Sequence, residues 1–275
     1  AELGTSGLVM TMLDEGTTSR SALEISDELS RLGANFGAGS GIDSSTVAMS
    51  ALKENLDASL DVYADIVLNP SFPDNELERL RKQRLAQIQQ EKTQPVGLAI
   101  RVFPKLLYGE GHAYSMPLTG SGTEESVMRI TRDALVDYHR TWFRPNNATM
   151  IVVGDVTLAE MKDRLEQIFD DWEPADTPAK NIAAVDVSDR DSEQSIVIAG
   201  NIAPPVGAGN EFAIETMNEI IGGSFTSRLN MNLREDKAWA YGAGTIFNDT
   251  AGQRAFLAYA PVQTDKTMES MAEIK

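Results

Sequence analysis

The spacing of apolar residues switches repeatedly between the period of a helix and that of a strand, and this alternation constrains the fold most. A capping box is predicted at Ser21, and Ile25, Leu29 and Leu32 follow it at helical intervals. Apolar and polar side chains alternate instead in residues 45–51 (STVAMSA). The same change of period recurs along the chain. Neighbouring short strands pair antiparallel when no long crossover separates them. The pattern therefore predicts an α+β fold in which antiparallel sheets pack against helices.

A polar stretch divides this pattern in two. Residues 173–193 contain two prolines and six acidic residues, which is typical of a linker. We therefore predict a first domain over residues 1–172 and a second over residues 194–275. The second domain has fewer elements, and the chain ends inside a predicted helix, so we expect that domain to be truncated.

Two local predictions concern apolar segments of this layout. The segment 148–156 (ATMIVVGDV) is apolar and rich in β-branched residues, so we predict a strand there. A helix is predicted over residues 96–107, interrupted by Pro104, because a proline inside a helix removes a backbone hydrogen bond.

Composition excludes several classes of function. The chain has 275 residues, 42% of them hydrophobic, and no apolar run near the ~18 residues that a membrane-spanning helix needs. The formal charge of −17 disfavours binding to nucleic acid or to an anionic membrane, since both need clustered lysine and arginine. The absence of cysteine excludes disulfides, a thiol nucleophile and thiolate metal ligands.

The usual catalytic motifs are missing. The two histidines, His112 and His139, stand 27 positions apart, so they cannot share one helix face as two zinc ligands do. We interpret both as structural residues. No G-x-S-x-G or G-K-[ST] motif occurs, and the adjacent acids Asp14 and Glu15 are interpreted as the polar end of a helix. Residues 4–17 (GTSGLVMTMLDEGT) predict a helix built for burial, with no metal-binding side chain before Asp14.

One segment, residues 227–242 (SRLNMNLREDKAWAYG), combines polar groups suited to catalysis. Arg234 lies on a predicted helix, and Tyr241 follows at the start of a strand. A guanidinium and a phenol that converge can donate hydrogen bonds to a peptide carbonyl or to an oxyanion. Alternatively, Arg234 pairs with Glu235, Asp236 or the end of its own helix. Spacing alone leaves both interpretations open.

The chain as a whole resembles the M16 family of zinc peptidases, which includes pitrilysin, insulinase and the mitochondrial processing peptidase. The resemblance rests on several long blocks, which extend over essentially the entire sequence. It implies two homologous domains of the kind found in LuxS/MPP-like metallohydrolases, with a first strand before Ala1 and closing helices after Lys275. The blocks include LDEGT, DSSTVAMSALKENLDASLDVYADIVLNPSFP, YHRTWFRPNNATMIVVGDVT and GGSFTSRLNMNLREDKAWAYG.

The resemblance also identifies what this chain lacks. Active members carry H-x-x-E-H on the first helix and a further ligand glutamate later in the chain. When Gly16 and Thr17 are matched to the family pattern, the two histidines and the general base correspond to Gly7, Thr11 and Met10, and the distant glutamate corresponds to a position near Gln87. None of these can bind zinc or act as a base. The resemblance therefore implies no metal site in this chain.

Arg234 and Tyr241, in contrast, match the arginine and tyrosine that active members of the family contribute from their C-terminal half. The resemblance implies a non-catalytic subunit that is inactive alone and proteolytic only with a zinc-bearing M16 partner. In such an enzyme, Arg234 and Tyr241 would bind the peptide substrate and the transition state in trans, and zinc would belong to the partner.

Alternative interpretations concern the assembly and location of the chain. One alternative is a catalytically inert peptide-binding or complex-assembly protein, which would not need Arg234 and Tyr241. An autonomous hydrolase with new chemistry has no motif to support it. In isolation, pairing of the chain with a second copy of itself is also considered. By resemblance alone, we expect a bacterial, periplasmic protein.

Overall fold

The computed structural model describes residues 2–179 and 196–275, which form two compact units. The first unit comprises Ala1–Ile88 and Gly120–Ala179, and the second comprises Gln89–Thr119 and Lys180–Lys275. The predicted mixture of helices and antiparallel sheets is confirmed. No helix within the described ranges is both long enough and apolar enough to span a membrane.

The first unit is built around a helix that is buried on nearly all sides. The side chains of Leu8, Val9, Met10 and Met12 are at most 1% exposed, as expected for a helix that is apolar all round. This helix packs with a two-stranded antiparallel sheet, in which Asn35 pairs with Ser50 and Ser40 with Ser45. Its elements are α1 (Thr5–Met12), α2 (Ala22–Leu32), β1 (Asn35–Ser40), β2 (Ser45–Ser50), α3 (Leu56–Leu68), α6 (Glu124–Arg129), α7 (Arg132–Trp142) and α8 (Leu158–Ile168), together with most of α4 (Asp74–Thr93).

Helix starts in the first unit follow the local sequence. The predicted capping box at Ser21 is confirmed: its side chain accepts a hydrogen bond from the backbone of Glu24, whose carboxylate accepts one from the backbone of Ser21. Thr157 and Glu160 form a second such box at α8. Each box satisfies backbone N–H groups that a helix start otherwise leaves unpaired.

A partly buried carboxylate ties the loop after α1 to α3. Asp65 of α3 accepts hydrogen bonds from Thr17 Oγ1 at 2.6 Å, Ser19 Oγ at 2.8 Å and Arg20 Nη1 at 2.7 Å. Burial alone would raise the pKa of Asp65, but these hydrogen bonds, with one from Asn69, outweigh it and hold the pKa below its usual value. The ionised carboxylate therefore stabilises this corner.

The second unit contains helix α5 (Pro95–Tyr108) and a three-stranded antiparallel sheet in the order β3 (Ile196–Ala203), β5 (Arg254–Pro261) and β4 (Gly244–Phe247). Ile196 pairs with Pro261 and Gly244 with Tyr259. Gly200 allows α5 to approach the sheet, because a Cβ on Gly200 would lie 2.6 Å from Phe103 Cζ. Its elements are α5 (Pro95–Tyr108), β3 (Ile196–Ala203), α9 (Glu211–Asn218), α10 (Arg228–Asn230), β4 (Gly244–Phe247), β5 (Arg254–Pro261) and α11 (Thr267–Ile274), with π-helical turns at Glu219–Gly223 and Met231–Asp236.

Two local predictions are wrong. Residues 148–156 form no strand, and Ile151 and Val153 are 83% and 93% exposed. Strand structure needs a hydrogen-bonded neighbour, and none pairs with this segment within the described ranges. The helix that carries Pro104 continues through it as α5, and the carbonyl of Ile100, to which a proline cannot donate, accepts from the N–H of Leu118 at 3.3 Å.

The boundaries predicted for the two domains remain predictions. Residues 173–179 of the predicted linker have no regular structure, and its residues 180–193 lie outside the described residues. Residues 89–119 belong to the second compact unit although they precede the predicted linker. They do so because α5 packs on β3 and β5, a contact between segments distant in sequence.

Candidate functional site

Arg234 and Tyr241 flank a tight reversal of the chain in the second unit. Arg234 lies in the π-helical turn Met231–Asp236, and Tyr241 lies just before β4. The reversal passes through Ala238, whose φ of 52° is unusual for a residue other than glycine. After it, the backbone N–H groups of Trp239 and Ala240 both donate to the carbonyl of Leu233, which returns the chain beside the π-helical turn.

The reversal brings Arg234 and Tyr241 together. The Cζ atom of Arg234 lies 5.9 Å from the centroid of the Tyr241 ring and 4.6 Å from that of Phe225. Both distances fit cation–π contacts. The Nε atom also lies 3.2 Å from Glu235 Oε1, so Arg234 contacts the Tyr241 ring and pairs with Glu235 at the same time. The ion pair with Glu235 is exposed and therefore weak.

The polar ends of both side chains are available to a ligand. The Tyr241 side chain is 93% exposed. Among the described residues, neither its hydroxyl nor the two Nη atoms of Arg234 has a hydrogen-bond partner. These groups can donate several hydrogen bonds to a carbonyl oxygen or an oxyanion. The rings hold the guanidinium in place without occupying those donors.

Asn230 fixes the backbone on both sides of this arrangement. Its side chain is almost fully buried; Nδ2 donates to the carbonyl of Phe225 at 2.7 Å, and Oδ1 accepts from the N–H of Ala243 at 3.0 Å. One amide thus links the loop that carries Phe225 to the segment after Tyr241. Sequence reasoning missed Phe225 and Asn230, because neither residue type nor spacing distinguished them from ordinary helix and loop residues.

The four positions at which the resemblance places metal chemistry offer no ligand set. Met10 is 1% exposed within the core of the first unit. The hydroxyl of Thr11 donates to the carbonyl of Gly7 at 2.7 Å, as threonines do within helices. Gly7 has no side chain, and Gln87 is neutral. These residue types do not fit Zn²⁺, which requires nitrogen, sulfur or carboxylate donors.

A guanidinium occupies the space beside Gly7. A Cβ placed on Gly7 would lie 3.3 Å from both Nη1 and Nη2 of Arg84, which precedes Gln87 by one turn of α4. A fixed cation beside these positions would repel a divalent metal ion. No group of three or more histidine, cysteine, aspartate or glutamate residues suited to a metal ion occurs within residues 2–179 and 196–275.

Both histidines make contacts expected of structural residues. Nε2 of His139 donates to the carbonyl of Val67 at 2.8 Å, and its ring stacks on Phe143. Burial lowers the pKa of His139 below its ordinary value of 6.5, which favours the neutral ring. In the second unit, His112 stacks on Tyr108, with 4.9 Å between the ring centroids.

The acidic pair after α1 also has structural partners. Burial raises the pKa of Asp14, whereas Glu15 forms an ion pair with Arg79. A carboxylate with a raised pKa is a candidate for acid–base chemistry only when it faces a reacting group. The charged group that acts on Asp14 is Glu15, whose carboxylate is itself paired with Arg79, so the two acids do not form a free acid–base pair.

Comparison with protein families covers nearly the whole chain. The family model described as "Peptidase M16 inactive domain" matches residues 129–275, and the one described as "Insulinase (Peptidase family M16)" matches residues 1–112. The first of these alone covers more than half of the chain.

Individual proteins are similar to the chain at low identity. The uncharacterized zinc protease YmxG of Bacillus subtilis is 27% identical over 244 residues, which are 86% of this chain and 58% of that protein. An uncharacterized zinc protease of Rickettsia felis is 25% identical over 279 residues, covering 100% of this chain and 67% of that protein. The chain thus spans 58% and 67% of the lengths of these relatives.

A solved structure confirms the fold. The crystal structure of a peptidase M16 inactive domain from Pseudomonas fluorescens superposes with a TM-score of 0.85 at 22% sequence identity, and the match covers 98% of this chain and 67% of that one. Identity at this level establishes the architecture and leaves the chemistry to the residues of the site.

Proposed function

Since the chain belongs to the M16 peptidase family, we propose that it is the non-catalytic subunit of a two-chain zinc peptidase. In this proposal, Arg234 and Tyr241 bind the peptide substrate in the active site of a zinc-bearing partner. The proposal unites two features of the chain: the unsuitable residues at the four metal positions and the available donors at Arg234 and Tyr241.

The arrangement of Arg234 carries the proposal. Its guanidinium is held over Phe225 and Tyr241, at 4.6 and 5.9 Å from the ring centroids, while its Nη atoms remain available. Donors fixed before the substrate arrives need little reorganisation when negative charge develops in a transition state. An arginine kept only for its exposed ion pair with Glu235 would need neither aromatic ring.

Each residue has a separate role in the proposed reaction. The partner would supply the metal and the attacking water. The hydroxyl of Tyr241 would donate to the carbonyl oxygen of the scissile peptide and more strongly to the oxyanion derived from it. The Nη atoms of Arg234 would hold that oxygen or the neighbouring peptide carbonyl. Loss of one such donor lowers kcat by ~10²–10³-fold where the donor contacts the oxyanion directly.

The second candidate function is an inert peptide-binding or assembly protein. The unsuitable donor set at Gly7, Met10, Thr11 and Gln87 is compatible with both candidates. The exposed phenol of Tyr241 favours the first, because an assembly role gives no reason to keep an unpaired hydroxyl beside an arginine. A periplasmic location is proposed on the family resemblance alone.

The test is peptide hydrolysis by the protein mixed with a zinc-motif M16 protein from the same genome, with each protein alone as reference. We expect activity in the mixture only. We expect Tyr241→Phe and Arg234→Ala each to lower kcat at least tenfold. Arg228→Ala is the matched control, because Arg228 is an exposed arginine in the preceding helix, and it should leave kcat unchanged.

Two outcomes would contradict the proposal for the partner tested. One is a mixture no more active than the zinc-motif protein alone although the two proteins associate, which would favour the assembly role. The other is an active mixture that neither substitution affects, which would remove Arg234 and Tyr241 from the reaction. Binding measured by ultracentrifugation separates loss of catalysis from loss of association.

A further inference from the structure

The π-helical turn Met231–Asp236 is contacted by a side chain from another helix, that of Glu273 on α11. Oε2 of Glu273 accepts a hydrogen bond from Nδ2 of Asn232 at 2.8 Å, and its Oε1 lies 3.1 Å from Nζ of Lys237. Asn232 precedes Arg234 by two residues, and Lys237 follows it by three. One carboxylate therefore holds the chain on both sides of Arg234.

The side-chain amide of Asn232 depends on this contact. Its Nδ2 donates to Glu273, whereas its Oδ1 is buried and has no hydrogen-bond partner in the part of the chain that the structure describes. A buried polar group without a partner is unfavourable, because it has lost its hydrogen bonds to water. Removal of the carboxylate would therefore take away the hydrogen bond that keeps this amide, and with it the π-helical turn, in place.

Lys237 is held from two sides. Its Nζ pairs with Glu273 and lies 5.0 Å from the centroid of the Trp239 ring, a distance that fits a cation–π contact. The side chains of Lys237 and Glu273 are 29% and 34% exposed, so solvent screens their attraction only in part. The next residue is Ala238, whose positive φ persists only where the surrounding structure imposes it. The ion pair therefore supports the chain directly before this reversal.

Helix α11 presents Glu273 from a fixed position. Ile274, the next residue, packs against a cluster of buried side chains that includes Leu233 of the turn and Val197 of β3. The helix is thus seated both on the sheet and on the π-helical turn. A side chain mounted on packed elements can position another group more precisely than a side chain on a loop.

We propose that Glu273 is a positioning residue for Arg234: it fixes the π-helical turn so that the guanidinium stays over the rings of Phe225 and Tyr241. It acts through Asn232 and Lys237 rather than on the substrate. The effect on the position of Arg234 concerns this chain alone, whereas its consequence for peptide hydrolysis rests on the proposed function.

The first test uses the free protein and the NMR signals of the Arg234 side chain. The rings of Phe225 and Tyr241 shift the resonances of protons that lie over their faces. We expect Glu273→Ala to reduce this ring-current shift by about half or more, since the guanidinium then spends time away from the rings. An unchanged shift would overturn the proposal, whatever the outcome of any activity measurement.

Glu269→Ala is the matched control for this measurement. Glu269 lies one turn earlier on α11 and pairs with Lys266 at 3.3 Å, so it does not hold the π-helical turn. Its replacement should leave the ring-current shift of Arg234 unchanged. Equal losses of the shift in the two alanine variants would assign the effect to the charge of α11 and would also overturn the proposal.

The second test is kinetic and uses the mixture with a zinc-motif M16 protein. We expect Glu273→Ala to lower kcat about three- to tenfold with little change in KM, because a misplaced donor costs more in the transition state than in the ground state. In a chain that already carries Arg234→Ala, the same substitution should lower kcat no further, since both changes act through one guanidinium.

The double variant separates positioning from a general loss of stability. If Glu273→Ala lowers kcat equally with and without Arg234, then Glu273 does not act through the guanidinium and the proposal is overturned. If Arg234→Ala itself leaves kcat unchanged, the proposed function fails instead, and the ring-current shift in the free protein still decides whether Glu273 positions Arg234.

Discussion

The two Nη atoms of Arg84 each lie 3.3 Å from the point that a Cβ on Gly7 would occupy. Because Gly7 has no side chain, the guanidinium of Arg84 can occupy the space beside it. A histidine at position 7 would have to displace the guanidinium, because its ring extends well beyond a Cβ. These positions therefore oppose a metal ion in two ways: they lack ligand side chains, and a cation lies beside one of them.

This relationship predicts how zinc binding can be restored. A variant with Gly7→His, Met10→Glu, Thr11→His and Gln87→Glu supplies the family's ligands and base but keeps the charge of Arg84. We expect it to bind Zn²⁺ at least tenfold more weakly than the same variant with Arg84→Ala added, because a fixed positive charge opposes a divalent cation. Competition with a chromogenic chelator measures both affinities.

The control for the zinc experiment is Arg79→Ala, placed in the same four-ligand variant. Arg79 is another arginine of α4, and it pairs with Glu15 and Glu76. Its removal should not improve zinc binding as the removal of Arg84 does. Equal gains from the two alanine substitutions would show that general charge reduction, rather than the contact with Gly7, controls the affinity.

Asn230 is predicted to be essential for the local order around Tyr241. Asn230→Ala removes the hydrogen bonds to the carbonyl of Phe225 and to the buried N–H of Ala243, so we expect the free energy of unfolding to fall by about 2 kcal/mol. The amide of Ala243 should exchange with solvent faster. Urea unfolding and hydrogen exchange measure the two effects, and Asn75→Ala, at an exposed site, should produce neither. Unchanged exchange at Ala243 would contradict the assigned role.

Asp65 is predicted to dominate the stability of the first unit among the acids of α3. Asp65→Asn weakens charge-assisted hydrogen bonds from Thr17, Ser19 and Arg20, so we expect a loss of about 2 kcal/mol in the free energy of unfolding. Asp61→Asn, at an exposed position one turn earlier, should change it by less than about 0.5 kcal/mol. Similar losses from the two substitutions would indicate that the charge of the helix matters more than the network.

The sign of the pH effect at Asp65 is set by its lowered pKa. The folded chain holds the proton of Asp65 less tightly than the unfolded chain does. The stabilisation is therefore complete above the unfolded value of 3.8 and is lost as the pH falls through the folded value. Asp65→Asn should reduce this acid sensitivity.

His139 predicts a separate pH dependence near neutrality. Because burial lowers its pKa in the folded state, the unfolded chain binds more protons between the folded value and 6.5. The stabilisation is present in full above the unfolded value, and the free energy of unfolding falls as the pH drops below it. Urea unfolding at about pH 7.5 and 5.5 measures the difference, which His139→Gln should reduce. His112→Gln, at the other histidine, is the control. If it reduces the pH dependence of the free energy of unfolding as much as His139→Gln does, that dependence does not arise from His139.

Local sequence rules predicted much of the fold. The capping box at Ser21, the buried character of α1 and the antiparallel pairing in both units depend on neighbours in sequence and on hydrophobic period. These signals failed where a distant segment decides the outcome. Residues 148–156 have strand composition without a strand beside them among the described residues, and α5 continues through Pro104 while the more distant Leu118 donates to the carbonyl of Ile100.

The candidate site was only half predictable. Arg234 and Tyr241 carry recognisable functional groups, so the resemblance identified them, whereas spacing alone left the role of Arg234 undecided. Phe225 and Asn230 act through a ring face and a buried amide, and neither leaves a pattern in the sequence. The contact between Arg84 and Gly7 was also missed, because the side chain that lies beside a glycine is determined by how the helices pack and leaves no local pattern in the sequence.

The π-helical turn Met231–Asp236 gives the site a dependence on chain length. Such a turn accommodates one residue more than the α-helical turn that it replaces. Deleting a single residue there would close the turn into an α-helix, so that the flanking helix keeps its register while the residues of the turn, Arg234 among them, change their direction around the helix axis. Arg234 and Tyr241 would both remain in the sequence, yet the guanidinium would leave the rings. In this protein, insertions and deletions within six residues are therefore as consequential for the proposed site as replacement of its side chains.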